Sequence, residues 1–178
     1  MKRKEFEHTI RAAGAILGVD ELLVIGSQAI HASIDFEFPE VMRSIEADIS
    51  TLHDRDGSKA DLIDGSIGEL SAFQATFGYY AQGVTSKTAV LPNGWRKRLV
   101  PFLTPATNGV TALCLEPHDL WMAKVIAGRP KDIEFCRALM KLNLVQDKTL
   151  KARLKKVTKL KIEKREFISV LISKLKSV

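Results

Sequence analysis

The sequence predicts an α/β (α+β) fold, in which a mixed β-sheet is flanked by helices and followed by a C-terminal helical segment. Three observations predict this class: an amphipathic N-terminal stretch, a short apolar run ending in glycine at residues 22–26, and several β-like runs between residues 79 and 115. With 178 residues, 46% of them hydrophobic, the chain is long enough to bury one core. We expect a main domain over residues 1–145 and a basic amphipathic tail over residues 146–178 that packs on it.

Hydrophobic spacing predicts the first elements. Apolar residues recur at helical spacing over residues 3–17, so this stretch should form an amphipathic helix that stops at Gly18. The run LLVIG at residues 22–26 is typical of a buried strand that turns into a helix. Ser27 is a natural N-cap for that helix.

A second strand, RSIEADIS, is predicted over residues 43–50. Its alternation places Glu46 and Asp48 on one face of the strand, and isoleucine and alanine side chains on the other. After this strand we expect a polar loop over residues 51–66 and a short helix over residues 67–77.

Short strands and paired helices complete the predicted fold. Four β-like runs, YYAQGV, KTAVL, LVPFL and TALCL, would complete the mixed sheet. Two helices open with proline in their first turn, at Pro117 and Pro130, and Gly128 ends the first of them. These two helices should pack as a hairpin. The tail is again helical, with apolar residues on one face and lysines on the other.

The net charge of +6 is distributed unevenly along the chain. From Lys148 to the C-terminus there are 11 Lys and Arg against two acidic residues, a balance of +9, whereas the rest of the chain has 16 bases and 19 acids, a balance of −3. The basic character therefore belongs to the tail. Such a helix is commonly a solvated cover for the core, but the excess of positive charge also favours RNA as a partner.

The cysteines and the hydropathy pattern indicate a protein of the reducing cytoplasm. Cys114 and Cys136 lie in apolar stretches without disulfide or metal-ligand spacing, so both are predicted to be buried thiols. No apolar run approaches the roughly 18 residues that a membrane span needs, and the charged N-terminus differs from a signal peptide. We expect no membrane partner.

The turn at Gly26 and Ser27 is a candidate anion site. Backbone N–H groups and the positive end of a helix dipole can face a phosphate there, glycine permits a close approach, and serine can donate its hydroxyl. The alternative is that the glycine has a purely steric role in the turn.

Glu46 and Asp48 are candidate metal ligands. Carboxylates held side by side repel each other unless a cation lies between them, and hard oxygen ligands suit Mg²⁺ or Mn²⁺. Beside an anion-binding turn, such a pair can hold the metal that bridges the phosphates of a nucleotide and activates an attacking hydroxyl. The alternative is the solvent-facing polar edge of a half-buried strand.

These motifs resemble a known superfamily. LVIGSQAIHA followed by RSIEADI resembles the pattern of nucleotidyltransferases, in which a Gly-Ser or Gly-Gly turn precedes an Asp-x-Asp strand. More closely, RSIEADI, DLIDGSIGEL, FGYYAQGV, LPNGW and EPHDLWMAKVIAGRPKD resemble a bacterial family of nucleotidyltransferase-like proteins related to the AbiEii-type toxins of type IV toxin-antitoxin systems. The resemblance covers about residues 20–145 and leaves the basic tail unmatched.

The resemblance implies a nucleotidyltransferase-like domain with a nucleoside triphosphate (NTP) as substrate. Gly26 and Ser27 are then the turn that binds the nucleotide phosphates, and Glu46 and Asp48 are the metal ligands and catalytic carboxylates. In the AbiEii-like pattern, a lysine and an aspartate on later helices also line the site. The residues that match them are Lys124 and Asp132.

The expected role of Lys124 is to neutralise phosphate charge, and Asp132 would orient it or act as a base. Arg43 and Arg129 are further candidates for binding phosphate. For all four residues, the alternative is an ordinary surface charge.

The carboxylates depart from the superfamily pattern in two ways. Glu46 replaces the usual first Asp, and residues 71–115 contain no Asp or Glu from which a third strand carboxylate could come. Asp61, Asp64 or Asp132 could substitute, one metal could suffice, or catalysis could be lost. The four histidines form no metal set, and we expect His31 to be a hydrogen-bonded helix residue.

The leading functional hypothesis is a Mg²⁺-dependent nucleotidyltransferase that moves a nucleoside monophosphate (NMP) from an NTP onto a hydroxyl of RNA, particularly tRNA, or of a protein. The alternative is a catalytically degenerate fold that binds nucleotide or RNA and pairs with a cognate antitoxin-like protein. An aminoglycoside nucleotidyltransferase would need an acidic acceptor pocket, against which the acid-free stretch argues. Trp95 with the basic residues 96–98 could bind an RNA backbone and stack on a base, or could simply anchor a turn.

Overall fold

The computed structural model describes residues 1–54 and 56–175. These residues form two compact units. The first unit comprises Met1–Thr88 and Leu99–Leu115, and the second comprises Ala89–Arg98 and the chain from Glu116 onward. The domain boundary after residue 145 stays a prediction.

The first unit contains a mixed sheet and its covering helices. Five described strands form the sheet in the order β3-β2-β1-β5-β4, in which β1 pairs in parallel with β5 and β2 with β3, and the other pairs are antiparallel. The predicted α/β class with a mixed sheet is therefore confirmed. The elements of this unit are α1 (Arg3–Leu17), β1 (Glu21–Val24), a 3₁₀-helix (Ser27–Ala32), α2 (Pro39–Met42), β2 (Glu46–Ser50), α3 (Ser58–Ile67), α4 (Ala72–Phe77), β3 (Tyr80–Gly83), β4 (Val100–Phe102), a second 3₁₀-helix (Pro105–Thr107) and β5 (Thr111–Cys114).

Helix α1 packs against the sheet as its spacing predicts. Phe6, Ile10 and Ala13 are fully buried, and the helix contacts β1, β2 and β3. Gly18 ends the helix with φ of 62°, a left-handed conformation that glycine adopts without steric cost. The predicted bounds of this helix are confirmed.

The segment after β1 differs from the predicted Ser27-capped helix. A 3₁₀-helix of six residues forms, Gly26 occupies the N-cap position, and Ser27 is the first helical residue. Because the N-cap residue is glycine, no N-cap side chain bonds to the N–H groups of this helix, and Ser27 is buried within its first turn. A helix this short also has a much smaller dipole than the sequence-based expectation assumed.

Helix α3 replaces most of the polar loop predicted for residues 51–66. Ala60, Ile63 and Ile67 are buried at helical spacing, but the intervening Asp, Gly and Ser residues hide this pattern in the sequence. The helix predicted for residues 67–77 is instead the end of α3 followed by α4, which begins when the Ser71 hydroxyl accepts a hydrogen bond from the Gln74 N–H at 3.2 Å.

Two strand predictions also need correction. The run KTAVL forms no strand, because a turn closed by the Thr88 N–H and the Thr85 carbonyl at 3.0 Å interrupts it and Pro92 follows. Strand β2 begins at Glu46 rather than at residue 43, because the Arg43 N–H closes the end of α2 on the Pro39 carbonyl and the Ser44 carbonyl accepts from the Gln28 side chain. The other three β-like runs form β3, β4 and β5 as predicted.

The second unit is helical. It contains a 3₁₀-helix (Trp95–Arg98), α5 (Pro117–Ala127), α6 (Pro130–Lys141), α7 (Asp147–Lys155) and α8 (Ile162–Leu175). The predicted hairpin of α5 and α6 is confirmed: the Trp121 indole N–H donates to the Cys136 carbonyl at 3.1 Å, and the Cys136 thiol donates to the Trp121 carbonyl at 3.5 Å.

The predicted helical tail is also confirmed. Leu150 and Leu154 of α7 and Ile168 and Ile172 of α8 are buried, whereas most of the tail lysines are exposed. Both cysteines are buried free thiols, as predicted. Within the described ranges, every helix is too short or too polar to cross a membrane.

Candidate functional site

The structure brings Gly26 and Asp48 into direct contact. Antiparallel pairing of β1 with β2 is continued by a hydrogen bond of 3.2 Å from the Ile25 N–H to the Asp48 carbonyl. A Cβ atom added to Gly26 would overlap a carboxylate oxygen of Asp48 and would lie 2.6 Å from its Cγ atom. The φ angle of Gly26 is −89°, so glycine is needed here for space rather than for its backbone conformation. The Asp48 carboxylate therefore lies directly over the predicted phosphate turn.

Glu46 and Asp48 share the half-exposed face of β2. Ala47 and Ile49 are fully buried between and beyond them, which matches the predicted alternation. The Tyr80 hydroxyl of β3 donates a hydrogen bond of 3.1 Å to the Glu46 carboxylate. Burial and the neighbouring carboxylate of Glu46 raise the pKa of Tyr80 to about 12, so the phenol remains a donor at neutral pH.

Tyr80 is a candidate site residue that the sequence analysis missed. Its register opposite Glu46 comes from the parallel pairing of β2 with β3, which are separated by two helices along the chain. The parallel register could not be derived from local sequence patterns, which indicate only that residues 79–84 form a strand. The hydrogen bond from Tyr80 holds one carboxylate oxygen of Glu46 in place.

The position beside Asp48 on β3 is occupied by Gln82. Its amide nitrogen donates to both carboxylate oxygens of Asp64, at 3.1 and 3.2 Å, and the Gly83 N–H donates to the same carboxylate at 2.6 Å. Asp64 is thus held at the edge strand β3. Across the residues that the structure describes, no three His, Cys, Asp or Glu side chains are grouped to hold a metal ion.

Buried polar contacts surround the turn. The Gln28 amide donates to the Val41 carbonyl at 3.2 Å and to the Ser44 carbonyl at 3.4 Å, which ties the 3₁₀-helix to the segment before β2. Ser27 is 7% exposed, and its hydroxyl is 3.5 Å from the Gln28 amide. Arg43 is exposed at the end of α2, three positions before β2.

His31 belongs to the core beneath this turn. Its Nε2 atom lies 3.1 Å from the Gln28 side-chain oxygen and 3.3 Å from the Met1 carbonyl, and its ring stacks on Phe6 at 5.2 Å. Burial lowers the pKa of His31 to about 4, so the ring is neutral. The expectation of a hydrogen-bonded helix histidine is confirmed.

Lys124, Arg129 and Asp132 form a compact ion cluster in the second unit. The Arg129 guanidinium donates to Asp132 at 2.6 and 3.2 Å, and the Lys124 ammonium lies 3.4 Å from the same carboxylate. The Asp132 side chain is 1% exposed, whereas Lys124 is 14% and Arg129 is 56% exposed. The structure therefore brings together the three candidates on α5 and α6 around one buried carboxylate.

The electrostatics of this cluster keep Asp132 ionised beside its two cationic partners. Burial raises the pKa of the Asp132 carboxyl, but the hydrogen bonds and charges of Arg129 and Lys124 outweigh that effect and leave the pKa below its usual value. Such a carboxylate is a weak base. Its geometry suits orienting the two cations, with the Lys124 stem packed so that its ammonium lies 6.0 Å from the centre of the Phe135 ring.

A family profile described as nucleotidyltransferase of unknown function (DUF6036) matches residues 6–174 of the chain. The match includes the turn at Gly26, the carboxylate strand β2, and helices α5 and α6. No curated protein and no solved structure matches the chain significantly.

Proposed function

Because the chain belongs to this family of nucleotidyltransferases, we propose that it is a Mg²⁺-dependent enzyme that transfers an NMP from an NTP to a hydroxyl group of an acceptor. The observation that carries the proposal is the contact between the Asp48 carboxylate and the Gly26 backbone, with Glu46 on the same strand face. This contact joins a metal-binding group to a turn that a phosphate can approach.

The two carboxylates of β2 fit one Mg²⁺ or Mn²⁺ ion. Proteins commonly bind Mg²⁺ through one or two carboxylates and complete its shell with water and substrate phosphates. Glu46, held by Tyr80, and Asp48, seated over Gly26, supply hard oxygen ligands of this kind. A bound ion would supply charge neutralisation for the phosphates.

The proposed reaction is an in-line displacement at the α-phosphorus. The acceptor oxygen forms a bond to that phosphorus, the bond to the β-phosphate oxygen breaks, and pyrophosphate leaves. A carboxylate of the Glu46 and Asp48 pair takes the hydroxyl proton. Gly26 and Ser27 bind the β- and γ-phosphates, and this chain's contribution is mainly positioning and electrostatics.

The cluster in the second unit has a supporting role in this proposal. Lys124 stabilises charge on the phosphoryl oxygens, and Asp132 orients the Lys124 ammonium. Arg129 contacts a phosphate, as does Arg43 of the first unit. The low pKa of Asp132 and its two cationic partners support orientation over base catalysis.

We also propose a closer family relationship, a set of partners and a cellular location for this chain. The motifs around β2, α3, β3 and α5 support kinship with AbiEii-type toxins, with a cognate antitoxin-like protein as a partner and RNA, particularly tRNA, or protein as the acceptor. Two buried free thiols fit the reducing cytoplasm that we propose as the location.

One observation favours a second candidate function, a catalytically degenerate nucleotide- or RNA-binding module. Gln82 stands in register with Asp48, and no third acidic, histidine or cysteine side chain joins Glu46 and Asp48 among the described residues. Enzymes that need three carboxylates would be inactive with this set. Binding of NTP without transfer would select this candidate.

The experiment that tests the proposal follows the α-phosphate and the γ-phosphate of the NTP separately. Each of the four NTPs, labelled at either the α- or the γ-phosphate, is incubated with total cellular RNA or protein, in Mg²⁺ or EDTA. We expect label from the α-position alone, dependent on Mg²⁺ and absent in the Glu46→Ala/Asp48→Ala variant. Circular dichroism of that variant checks its fold. Absence of labelling by the folded wild-type protein with both acceptor pools would reject the transferase.

A further inference from the structure

Two basic segments of the second unit are far apart in sequence and free of acidic residues. Residues 148–161 contain seven Lys and Arg and no Asp or Glu, and residues 93–98 contain three Lys and Arg beside Trp95. The first segment begins at the second residue of α7 and includes the chain between α7 and α8, and the second segment contains the 3₁₀-helix Trp95–Arg98.

The fold joins these two segments. The Asn93 N–H donates a hydrogen bond of 2.9 Å to the Lys156 carbonyl, at the end of α7. Arg98 donates to the buried Asp119 carboxylate at 2.7 and 3.0 Å, and the Arg153 guanidinium reaches the same carboxylate at 3.1 Å. A backbone contact and a shared buried anion therefore hold the Trp95 turn beside the end of α7.

The basic side chains divide into two groups. Arg98 and Arg153 point inward, and Arg153 also lies 3.8 Å from Glu116. Arg96, Lys97, Lys155 and Lys156 are exposed. The inward arginines hold the turn in place, and the four exposed cations belong to the two segments that the backbone contact between Asn93 and Lys156 joins. We call these four residues and Trp95 the basic surface.

Trp95 gives the basic surface a feature that charge alone lacks. Its ring is half-exposed, and the Arg96 guanidinium lies 5.3 Å from the ring centre. An aromatic face beside cations matches the chemistry of single-stranded nucleic acids, whose bases stack on aromatic rings while their phosphates contact Lys and Arg. An acidic polypeptide would use the cations and leave the ring without a partner of this kind.

We propose that the basic surface binds single-stranded RNA, with its lysines and Arg96 on the phosphates and Trp95 stacked on a base. That this RNA is also the acceptor of the NMP rests on the proposed function. Binding itself does not, because it needs neither NTP nor Mg²⁺.

The first test measures binding of the full chain to a labelled single-stranded RNA of about 12 nucleotides, within the range of known single-strand sites, by fluorescence anisotropy without NTP. We expect Lys155→Gln/Lys156→Gln to weaken binding and to lower the slope of log affinity against log salt by about 0.7 for each lost phosphate contact. The matched control is Lys4→Gln/Lys87→Gln, which removes two exposed lysines of the first unit. A Lys155 and Lys156 variant that binds like this control overturns the proposal.

The second test separates stacking from charge. Trp95→Ala should weaken RNA binding by about 5- to 100-fold without changing the salt slope, because a lost stacking contact releases no counterions. Trp95→Tyr keeps an aromatic face and should restore most of the affinity. Equal loss in both variants, with the fold intact by circular dichroism, would overturn the stacking role.

Competition experiments distinguish RNA from acidic polypeptides and anionic membranes as the partner of the basic surface. Polyglutamate and anionic lipid vesicles should displace RNA weakly, and displacement by either as effective as that by unlabelled RNA would overturn the assignment to RNA. The two proposals can also fail separately. RNA binding with no α-label transfer would reject the enzyme and keep the surface, whereas α-label transfer together with RNA binding that does not depend on Lys155, Lys156 or Trp95 would reject the surface alone.

Discussion

At Gly26, the absence of a side chain makes room for the Asp48 carboxylate. Gly26→Ala should cost about 1–3 kcal/mol of folding stability, because the new methyl group overlaps that carboxylate. In an Asp48→Ala background the same change should cost much less, giving a coupling of at least about 1 kcal/mol. Urea unfolding of the two single variants and the double variant measures this cycle.

Gly65 provides the matched control for that substitution. It lies inside α3, and a Cβ atom added there meets nothing within 4 Å. Gly65→Ala should therefore stabilise the protein by about 0.5–1 kcal/mol, through higher helix propensity. Equal unfolding free energies for Gly26→Ala and Gly65→Ala would contradict the close contact between the turn and β2.

His31 should make stability depend on pH between its unperturbed pKa of 6.5 and its lowered pKa of about 4. Its pKa is about 4 in the folded protein and 6.5 when unperturbed, so the unfolded chain binds the proton more readily. Stability is then complete above pH 6.5 and falls towards pH 4, by up to about 3 kcal/mol at about 1.4 kcal/mol for each pKa unit. His31→Gln should flatten this part of the profile, as measured by urea unfolding between pH 7 and pH 4. Parallel profiles for the two proteins would argue against a buried neutral ring.

At the scale of elements, the hairpin of α5 and α6 depends on the Asp132 carboxylate. Asp132→Asn should lower stability at pH 7 by about 2 kcal/mol, because charge-assisted hydrogen bonds to Arg129 and Lys124 are lost. The pKa of Asp132 in the folded protein lies below its usual 3.8, so this stabilisation is present above that pH and is lost as the pH falls through the lowered pKa.

The measurement for Asp132 is the difference in unfolding free energy between wild type and Asp132→Asn at pH 7 and in acid. The difference should shrink as the pH falls. Asp61→Asn, at an exposed position of α3, is the matched control and should stay within about 0.5 kcal/mol of wild type at pH 7. A difference that is the same at both pH values would mean that the ion cluster does not stabilise α6.

Elements with strong periodicity were predictable, and those organised by long-range contacts were not. The bounds of α1 and the openings of α5 and α6 follow from apolar spacing, from Gly18 and Gly128, and from prolines in the first turn. Helix α3 was missed because its buried Ala and Ile residues are embedded in polar sequence. The 3₁₀-helix after Gly26 was also missed, because nothing local to Ser27 distinguishes a buried serine from an N-cap.

At the scale of the whole chain, the strands were largely predictable but their order was not. Parallel pairing of β1 with β5 joins residues ninety positions apart, for example Leu23 with Leu113, and such pairing depends on the packing of the intervening helices. The candidate carboxylates were found because Glu46 and Asp48 lie within one alternating strand. Tyr80 could not be found from the sequence, because its contact with Glu46 arises from the order of the strands in the sheet.

We propose that the Asp48 carboxylate over Gly26 is required for transfer of an NMP. The most direct measurement is the initial rate of α-label transfer to acceptor, with pyrophosphate counted in the same reaction, for wild type, Asp48→Asn and the exposed control Asp20→Asn. We expect one pyrophosphate for each NMP transferred and a loss of at least about 100-fold in the rate for Asp48→Asn alone. Transfer by Asp48→Asn at the wild-type rate, with Asp20→Asn equally active, would contradict this proposal.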